Sequence, residues 1–188
     1  MSDRPSAFER VLDPADNSTG GGSASAIAGA MAAALVGMVA RLSVGRDAGL
    51  PDDAYGDIAA QAAALSGALL TGAEVDAGAF DAVVAGYRMP RGTDEEKSAR
   101  SRAIQAALAH ATRVPLENAE MCAAVLALAR QLEGRSNPSA ASDLIGASHL
   151  ARAGLAGCLA NVEINLPSLK DPAVAAALRA RAGALAAG

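Results

Sequence analysis

The feature that most limits the fold of this chain is a run without charged residues, Ala24 to Ala40, directly after Gly20-Gly21-Gly22-Ser23. Within the run, Gly29, Ala33 and Gly37 recur every four positions. That spacing puts small side chains on one side of a helix, where a second backbone can approach closely. The run therefore favours a tightly packed helix over a strand or a loop.

Ser23 is a suitable N-cap, and the run after it predicts a helix from about Ala24 to Ser43. The uncharged run is nearly long enough to span a membrane. It is only weakly apolar, however, and Arg41 closes it. We therefore expect a buried core or interface helix and no membrane span.

The rest of the chain continues the helical pattern between proline- and glycine-rich breaks. Further helices are predicted at about 54–87, 93–112, 115–132, 139–165 and from 171 onward. No strand pattern, internal repeat or linker is found in the sequence. Aromatic residues are 2% and apolar residues 52% of the chain, which argues against an all-β fold and against disorder. The predicted fold is all-α, with residues 1–188 forming a single-domain bundle of long Ala-rich helices.

The charge and the cysteine content limit which partners and which cellular compartment are expected. The net charge is −4, and the chain has two Tyr, two Phe and no Trp, so a nucleic-acid partner is not expected. Cys122 and Cys158 are too few for a disulfide scaffold and are expected to be buried in a reducing compartment. The polar first ten residues do not resemble a signal peptide, so a cytoplasmic protein is expected.

Polar residues interrupt two of the predicted apolar faces. Asp76 shares a helix face with Leu69 and Phe80, and a buried carboxylate needs a partner or a function. The alternative is that Asp76 lies at the edge of this face and reaches solvent.

A second polar line runs along the fifth long helix, where Asp143, Asn161 and Asn165 fall near Gly154 and Cys158. It is compatible with a polar groove, with inter-helix hydrogen bonds or with a symmetric dimer seam. The triple glycine before a helix offers free N–H groups to an anion. The two histidines form no local metal motif, and no metal is expected.

Several segments, taken in order, carry a resemblance to a known family. They are Gly20-Gly21-Gly22-Ser23-Ala24, residues 76–83 around Asp76 and Phe80, Met89-Pro90, Thr93-Asp94-Glu95-Glu96-Lys97 through Arg100, Val114-Pro115-Leu116, residues 137–143, and residues 161–166. The chain resembles the formiminotetrahydrofolate cyclodeaminase / methenyltetrahydrofolate cyclohydrolase family over roughly residues 8–180. The resemblance implies an all-α fold, a homodimer and a folate one-carbon substrate, with no separate cofactor.

Under this resemblance, Asp76 and Asp143 are the predicted catalytic carboxylates. Asn137, Asn161 and Asn165 are expected to bind the pterin or the reacting water. The remaining predicted substrate-binding residues are Gly20, Gly21, Gly22 and Ser23 through their backbone N–H groups, and Arg41 or Arg100 for the glutamate carboxylate.

The expected reaction is hydrolysis of 5,10-methenyltetrahydrofolate to formyltetrahydrofolate by carboxylate-assisted addition of water. One alternative is formiminotetrahydrofolate cyclodeamination, which passes through a similar tetrahedral carbon. Another is a divergent non-catalytic folate-binding dimer, because Arg41 replaces a family Asn and only Arg46 remains of a basic cluster. A purely structural helical dimer is the last alternative.

Overall fold

Helix α2 lies at the centre of an all-α fold in the computed structural model, which describes residues 5–187. Within those residues no strand is present. The helices are α1 (Ala7–Leu12), α2 (Gly21–Ser43), α3 (Asp52–Arg88), α4 (Asp94–Leu132), α5 (Ala141–Asn165) and α6 (Pro172–Ala186). Single 3₁₀ turns precede and follow α5, at Pro138–Ala140 and Leu166–Ser168.

Small residues let α2 lie very close to its neighbours. A Cβ atom added at Gly154 of α5 would lie 2.8 Å from the Ser25 carbonyl oxygen and 3.1 Å from the Gly29 nitrogen, both backbone atoms of α2. The backbones of α2 and α5 therefore touch with no room for a methyl group. This close packing is what the small-residue spacing in the sequence predicted.

The buried apolar side chains form two clusters. The larger one surrounds α2 and contains Tyr55, Leu69 and Leu132 together with many alanines. The smaller one lies where α6 packs against the middle of α4 and the end of α5, around Leu116 and Leu166. Cys122 and Cys158 are both buried and free, as expected from the sequence.

The helix ends follow local sequence signals. Ser6 with Glu9 and Thr93 with Glu96 form capping boxes at the starts of α1 and α4. Asp171 caps α6, which has Pro172 at its first position. The predicted helices at 54–87, at 139–165 and from 171 onward are confirmed as α3, α5 and α6, with ends shifted by one or two residues.

Two predicted helix boundaries are wrong. Helix α2 begins at Gly21, so Ser23 lies in its first turn and is not its N-cap. The predicted helices at 93–112 and 115–132 are one continuous helix, α4, with Pro115 inside it. Val114, Pro115 and Leu116 are all buried, and this packing outweighs the single backbone hydrogen bond that a proline removes.

Helices α2 and α3 are both long and apolar enough to cross a membrane by length and composition alone. The most apolar window of α2 is 61% buried inside the bundle, and that of α3 is 28% buried. Burial at the centre of a bundle accounts for the apolar character of α2. The absence of a membrane span stays a prediction.

Candidate active site

Asp76 of α3 lies against the first turn of α2. The hydroxyl of Ser23 is 2.9 Å from Asp76 Oδ2 and 3.0 Å from the Ala73 carbonyl oxygen. A Cβ atom on Gly22 would lie 2.5 Å from Oδ2 and 2.6 Å from Oδ1 of the carboxylate, so only glycine is compatible with this contact. The residue before α2, Gly20, makes no side-chain cap. The carboxylate from α3 therefore occupies the positive end of α2, where an anion is favoured.

Opposing effects act on the pKa of Asp76. Burial raises the pKa because it disfavours the charged form, while the hydroxyl and the backbone N–H of Ser23 lower it. The net effect is a pKa above the ordinary value for aspartate. A carboxyl group of raised pKa, held in place by a hydrogen bond, is suited to exchanging protons with a ligand.

A cavity of about 330 Å³ opens beside Asp76. It is lined by Asn17, Ser18, Gly20, Gly21, Gly22, Asp76, Phe80, Val83, Leu108, Ala111, Asn161 and Asn165. Six of these residues were predicted from the sequence: Gly20, Gly21, Gly22, Asp76, Asn161 and Asn165. None of these lining residues carries a positive charge, so the cavity combines one carboxyl group with neutral polar groups.

Pro115 determines how Asn165 is held. A residue at position 115 with an N–H would donate it to the carbonyl of Ala111, four residues earlier in α4, but proline has none. The side-chain amide of Asn165 donates to that carbonyl instead, with Nδ2 3.0 Å from the Ala111 oxygen. The proline inside α4 thus creates the anchor for a cavity residue on α5.

Asn161 is held in a similar way, because its Nδ2 donates to the Gly157 carbonyl at 2.9 Å. A backbone carbonyl only accepts hydrogen bonds, so both asparagines are oriented with their amide nitrogens toward it. Within residues 5–187 neither Oδ1 atom accepts a hydrogen bond. Two amide oxygens and the Asp76 carboxyl group are therefore among the acceptors at the cavity.

Three predicted site residues lie toward the opposite end of the bundle. Asp143 is in the first turn of α5, and the 18 residues that separate it from Asn161 span about 27 Å of helix. Arg41 is near the end of α2, about 30 Å along the helix from Gly21. Asn137 donates its backbone N–H to Ser43 Oγ and its side-chain N–H to the Leu42 carbonyl.

The structure does not bring these three residues to the cavity beside Asp76. The two predicted catalytic carboxylates, Asp76 and Asp143, therefore do not share this cavity within one chain. Helical periodicity had indicated the side of α5 on which Asp143 lies, but not its height in the bundle. Functional roles for Asp143, Arg41 and Asn137 stay predictions.

Arg100 lies at the junction of α3 and α4. Its Nη2 donates to the Tyr87 carbonyl at 3.0 Å, and its guanidinium lies 5.6 Å from the centre of the Tyr87 ring. It thereby satisfies a carbonyl in the last turn of α3 and does not line the cavity. A role in ligand binding stays a prediction for this residue too.

Phe80 and the Asn17-Ser18 segment also line the cavity, although neither was predicted from the sequence to do so. Phe80 was assigned to the apolar face of α3, yet its side chain is 46% exposed beside the cavity. Asp16 folds the segment by accepting the backbone N–H groups of Ser18 and Thr19. An Asp side chain that accepts the backbone N–H two residues later is a known turn signal, and it could have identified this loop from the sequence.

In the glycine-rich segment, Gly22 and Ser23 contact Asp76, so a carboxyl group of the protein itself lies at this helix end. Binding of a substrate through the N–H groups of Gly20, Gly21, Gly22 and Ser23 stays a prediction. Among residues 5–187, no group of three or more His, Cys, Asp or Glu side chains is placed to hold a metal ion.

These features define a class: an α-helical bundle with a protonatable carboxyl group in a small polar cavity between α2, α3, α4 and α5. The model of the formiminotransferase-cyclodeaminase family matches residues 6–184. The chain belongs to this family.

Relatives with assigned names agree with this membership. A methenyltetrahydrofolate cyclohydrolase from Methylorubrum extorquens is 40% identical over 157 residues, which are 83% of this chain and 76% of that protein. Formimidoyltransferase-cyclodeaminases from pig and rat are 33% and 32% identical over 95% and 88% of this chain. The matched region is only 33% and 31% of those longer proteins.

The fold also matches a solved structure. The crystal structure of formiminotetrahydrofolate cyclodeaminase from Thermotoga maritima superposes with a TM-score of 0.82, covering 96% of this chain and 86% of that one. The two sequences are 24% identical, so this likeness supports the fold alone.

Asp76→Asn is expected to raise thermal stability at neutral pH. Because burial raises the pKa of Asp76, its favourable contribution is present at low pH and is lost as the pH rises through the folded-state pKa. Removing the charge should raise Tm on the order of 2 °C at pH 7.5, with the difference shrinking toward pH 4. Calorimetry over this pH range measures it.

Asp57→Asn, an exposed change on the same helix, is the matched control and should show no such pH-dependent gain. If Asp76→Asn lowered Tm at neutral pH, the ionised carboxylate would be stabilising α2. That result would contradict the conclusion that burial has the largest effect on the pKa of Asp76.

Proposed function

We propose that this chain hydrolyses 5,10-methenyltetrahydrofolate to formyltetrahydrofolate. The observation that carries the proposal is Asp76, a carboxyl group of raised pKa beside a cavity that it shares with two free amide oxygens. The relative from Methylorubrum extorquens, which bears the name of this activity, supports the choice of reaction.

The charge of the cavity suits the proposed substrate. Methenyltetrahydrofolate carries a cationic N–CH–N unit, and the cavity offers one carboxyl group and the oxygens of Asn161 and Asn165 with no positive side chain among its lining residues. A bound cation lowers the pKa of a nearby carboxyl group and favours its charged form. The substrate would therefore favour the carboxylate form of Asp76, which can act as a base.

The reaction balances with Asp76 as the only acid–base group. The oxygen of a water molecule bonds to the methenyl carbon while the Asp76 carboxylate takes one water proton. The resulting tetrahedral carbon bears a hydroxyl group between two nitrogens. Asp76 returns its proton to one nitrogen as that C–N bond breaks, and the hydroxyl proton leaves to solvent. The products are formyltetrahydrofolate and one proton, and no cofactor is needed.

Cyclodeamination is the second candidate, favoured by the pig and rat relatives that carry cyclodeaminase in their names. In that reaction a folate nitrogen attacks the formimino carbon, and the tetrahedral intermediate expels ammonia. Asp76 in its protonated form would supply the proton to the departing nitrogen. The same cavity would serve, because both reactions need one carboxyl group beside a carbon held between nitrogens.

Asp76→Asn is expected to reduce turnover on the order of 100-fold or more, because the amide cannot accept the water proton. The measurement is the protein-dependent loss of the methenyl absorbance, corrected for the rate without protein. Asp57→Asn is the matched control on an exposed part of α3. Asp143→Asn is measured beside it, as a test of its predicted role.

Unchanged turnover in Asp76→Asn would contradict the assignment of Asp76. No acceleration by the wild-type protein would contradict the hydrolase proposal. Ammonia release from formiminotetrahydrofolate would then identify a cyclodeaminase, and binding without either reaction would identify a non-catalytic folate-binding protein.

Pro115→Ala is expected to lower turnover, although residue 115 does not line the cavity. The new N–H can bond to the Ala111 carbonyl and displace the Asn165 amide from it. Asn165→Leu should lower turnover by itself. In the double variant the two effects should not add, because both act through the orientation of one side chain.

Additive losses in Pro115→Ala, Asn165→Leu and their combination would contradict this coupling. Thermal unfolding of all three variants shows whether a loss of turnover comes from global destabilisation of the protein.

We further propose that the protein is a homodimer in the cytoplasm. Phe8, Met31 and Leu70 are 49%, 46% and 50% exposed. Phe8 of α1, Ile27 of α2 and Leu70 of α3 line one groove between these three helices. A two-fold contact through this face would bury the same apolar residues on both copies at once. The free thiols of Cys122 and Cys158 suit a reducing compartment.

Leu70→Glu is expected to convert the dimer into a monomer, because it puts two charges into the contact. Sedimentation equilibrium gives the mass. Ile164→Glu is the control, since Ile164 is 75% exposed on α5, outside this groove. A monomeric wild-type protein, or a dimer unaffected by Leu70→Glu, would contradict the proposed interface.

A further inference from the structure

The cavity beside Asp76 continues past Phe80 into a second, wider cavity of about 710 Å³. The second cavity is lined by Asn17, Ser18, Phe80, Asp81, Val84, Ala85, Arg88 and Met89. Asn17, Ser18 and Phe80 line both cavities. An extended ligand with one end beside Asp76 can therefore pass over Phe80 into the second cavity.

One wall of the second cavity is the last part of α3. Phe80, Val84 and Arg88 follow each other at intervals of four residues and so lie on one side of the helix. Their side chains form an aromatic ring, an aliphatic group and a guanidinium, in that order away from Asp76. This order matches an elongated molecule that has a ring in its middle and an anion at its far end.

The positively charged residue of this wall is Arg88. Among the ion pairs and side-chain hydrogen bonds within residues 5–187, Arg88 takes part in none. By contrast, Arg10 pairs with Asp16 at 2.8 Å, and Arg100 donates to the Tyr87 carbonyl. Arg88 is also the last residue of α3, where the helix dipole favours a positive charge.

The one acidic residue among those lining the second cavity is Asp81. It lies two helical turns before Arg88, at the end nearer the site cavity. Asp81 is therefore separated from Arg88 by seven residues of α3. The charge that remains at the outer end of the cavity is the guanidinium of Arg88.

The distances suit a folate. Asp76 and Arg88 are twelve residues apart on α3, which is about 18 Å along the helix axis. In an extended folate, the one-carbon unit and the nearer glutamate carboxylate are separated by a benzoyl ring and an amide, roughly 10 Å with bonds of about 1.4 Å. The long side chain of Arg88 can cover most of the remaining distance.

We propose that Arg88 binds the glutamate carboxylates of the folate and that the exposed ring of Phe80 packs against its benzoyl ring. This inference rests on the proposed folate substrate and assigns the tail to a residue other than Arg41 or Arg100. The guanidinium presents two parallel N–H groups to a carboxylate, a geometry that lysine lacks.

The test compares two stable ligands that differ only in the tail: 5-formyltetrahydrofolate and 5-formyltetrahydropteroyl amide, in which a neutral primary amide replaces the glutamate. Calorimetry gives Kd for the full-length wild type and for Arg88→Ala. Losing the charged pair should weaken binding of 5-formyltetrahydrofolate on the order of tenfold or more and leave binding of the pteroyl amide unchanged. Arg88→Lys should lose less than Arg88→Ala.

Matched variants separate this effect from general loss of binding. Arg91→Ala removes an exposed arginine that lines neither cavity and should leave both Kd values unchanged. Phe80→Ala should weaken both ligands equally, because both contain the benzoyl ring. Arg41→Ala and Arg100→Ala test the positions suggested by the sequence.

Equal effects of Arg88→Ala on the two ligands, or no effect on either, would overturn the proposal. So would selective loss of the glutamate-bearing ligand in Arg41→Ala or Arg100→Ala but not in Arg88→Ala. Because these readouts are binding constants, they do not depend on turnover. A wild type that binds both ligands but does not hydrolyse methenyltetrahydrofolate would refute the proposed reaction and leave the tail assignment standing.

Discussion

The site depends on how closely α2 approaches the helices around it. Gly154 lets the backbone of α5 touch that of α2, and Gly22 lets the Asp76 carboxylate of α3 reach the first turn of α2. A methyl group at either position would require the neighbouring atoms to move. The same small residues that let the helices pack closely therefore bring a carboxyl group to a helix N-terminus. Close packing, more than any single hydrogen bond, creates the chemical environment of Asp76.

The site also depends on a backbone hydrogen bond that Pro115 cannot donate. Pro115 leaves the Ala111 carbonyl without its partner in α4, and Asn165 supplies the donor from α5. This hydrogen bond links α4 to α5 at the wall of the cavity. The pairing also leaves the amide oxygen of Asn165 as an acceptor at the cavity. A residue that weakens one helix thus positions a polar group on another.

Much of the fold was predictable because caps, prolines and apolar spacing are local signals. Asp76, Asn161 and Asn165 were found because polar residues on apolar faces need partners or a function. Asp143 shares a helix side with Asn161, but periodicity does not tell how far apart two residues lie along the bundle. Ser23 and Pro115 were wrongly predicted to begin helices. Local rules do not show that Ser23 donates to Asp76, or that Asn165 donates to the carbonyl that Pro115 leaves without a partner. Phe80 and Arg88 carry no sequence signal that separates a cavity wall from an ordinary helix face.

The account predicts above all that Asp76 is a carboxyl group whose proton affinity is set by burial and by Ser23. Titration of the aspartate side-chain carbons by ¹³C NMR, assigned with Asp76→Asn, measures this directly. The pKa of Asp76 should lie above 3.8 in the wild type and rise further in Ser23→Ala, because the hydroxyl that stabilises the ionised form is gone. An Asp76 pKa at or below 3.8, or one that does not respond to Ser23→Ala, would contradict the account.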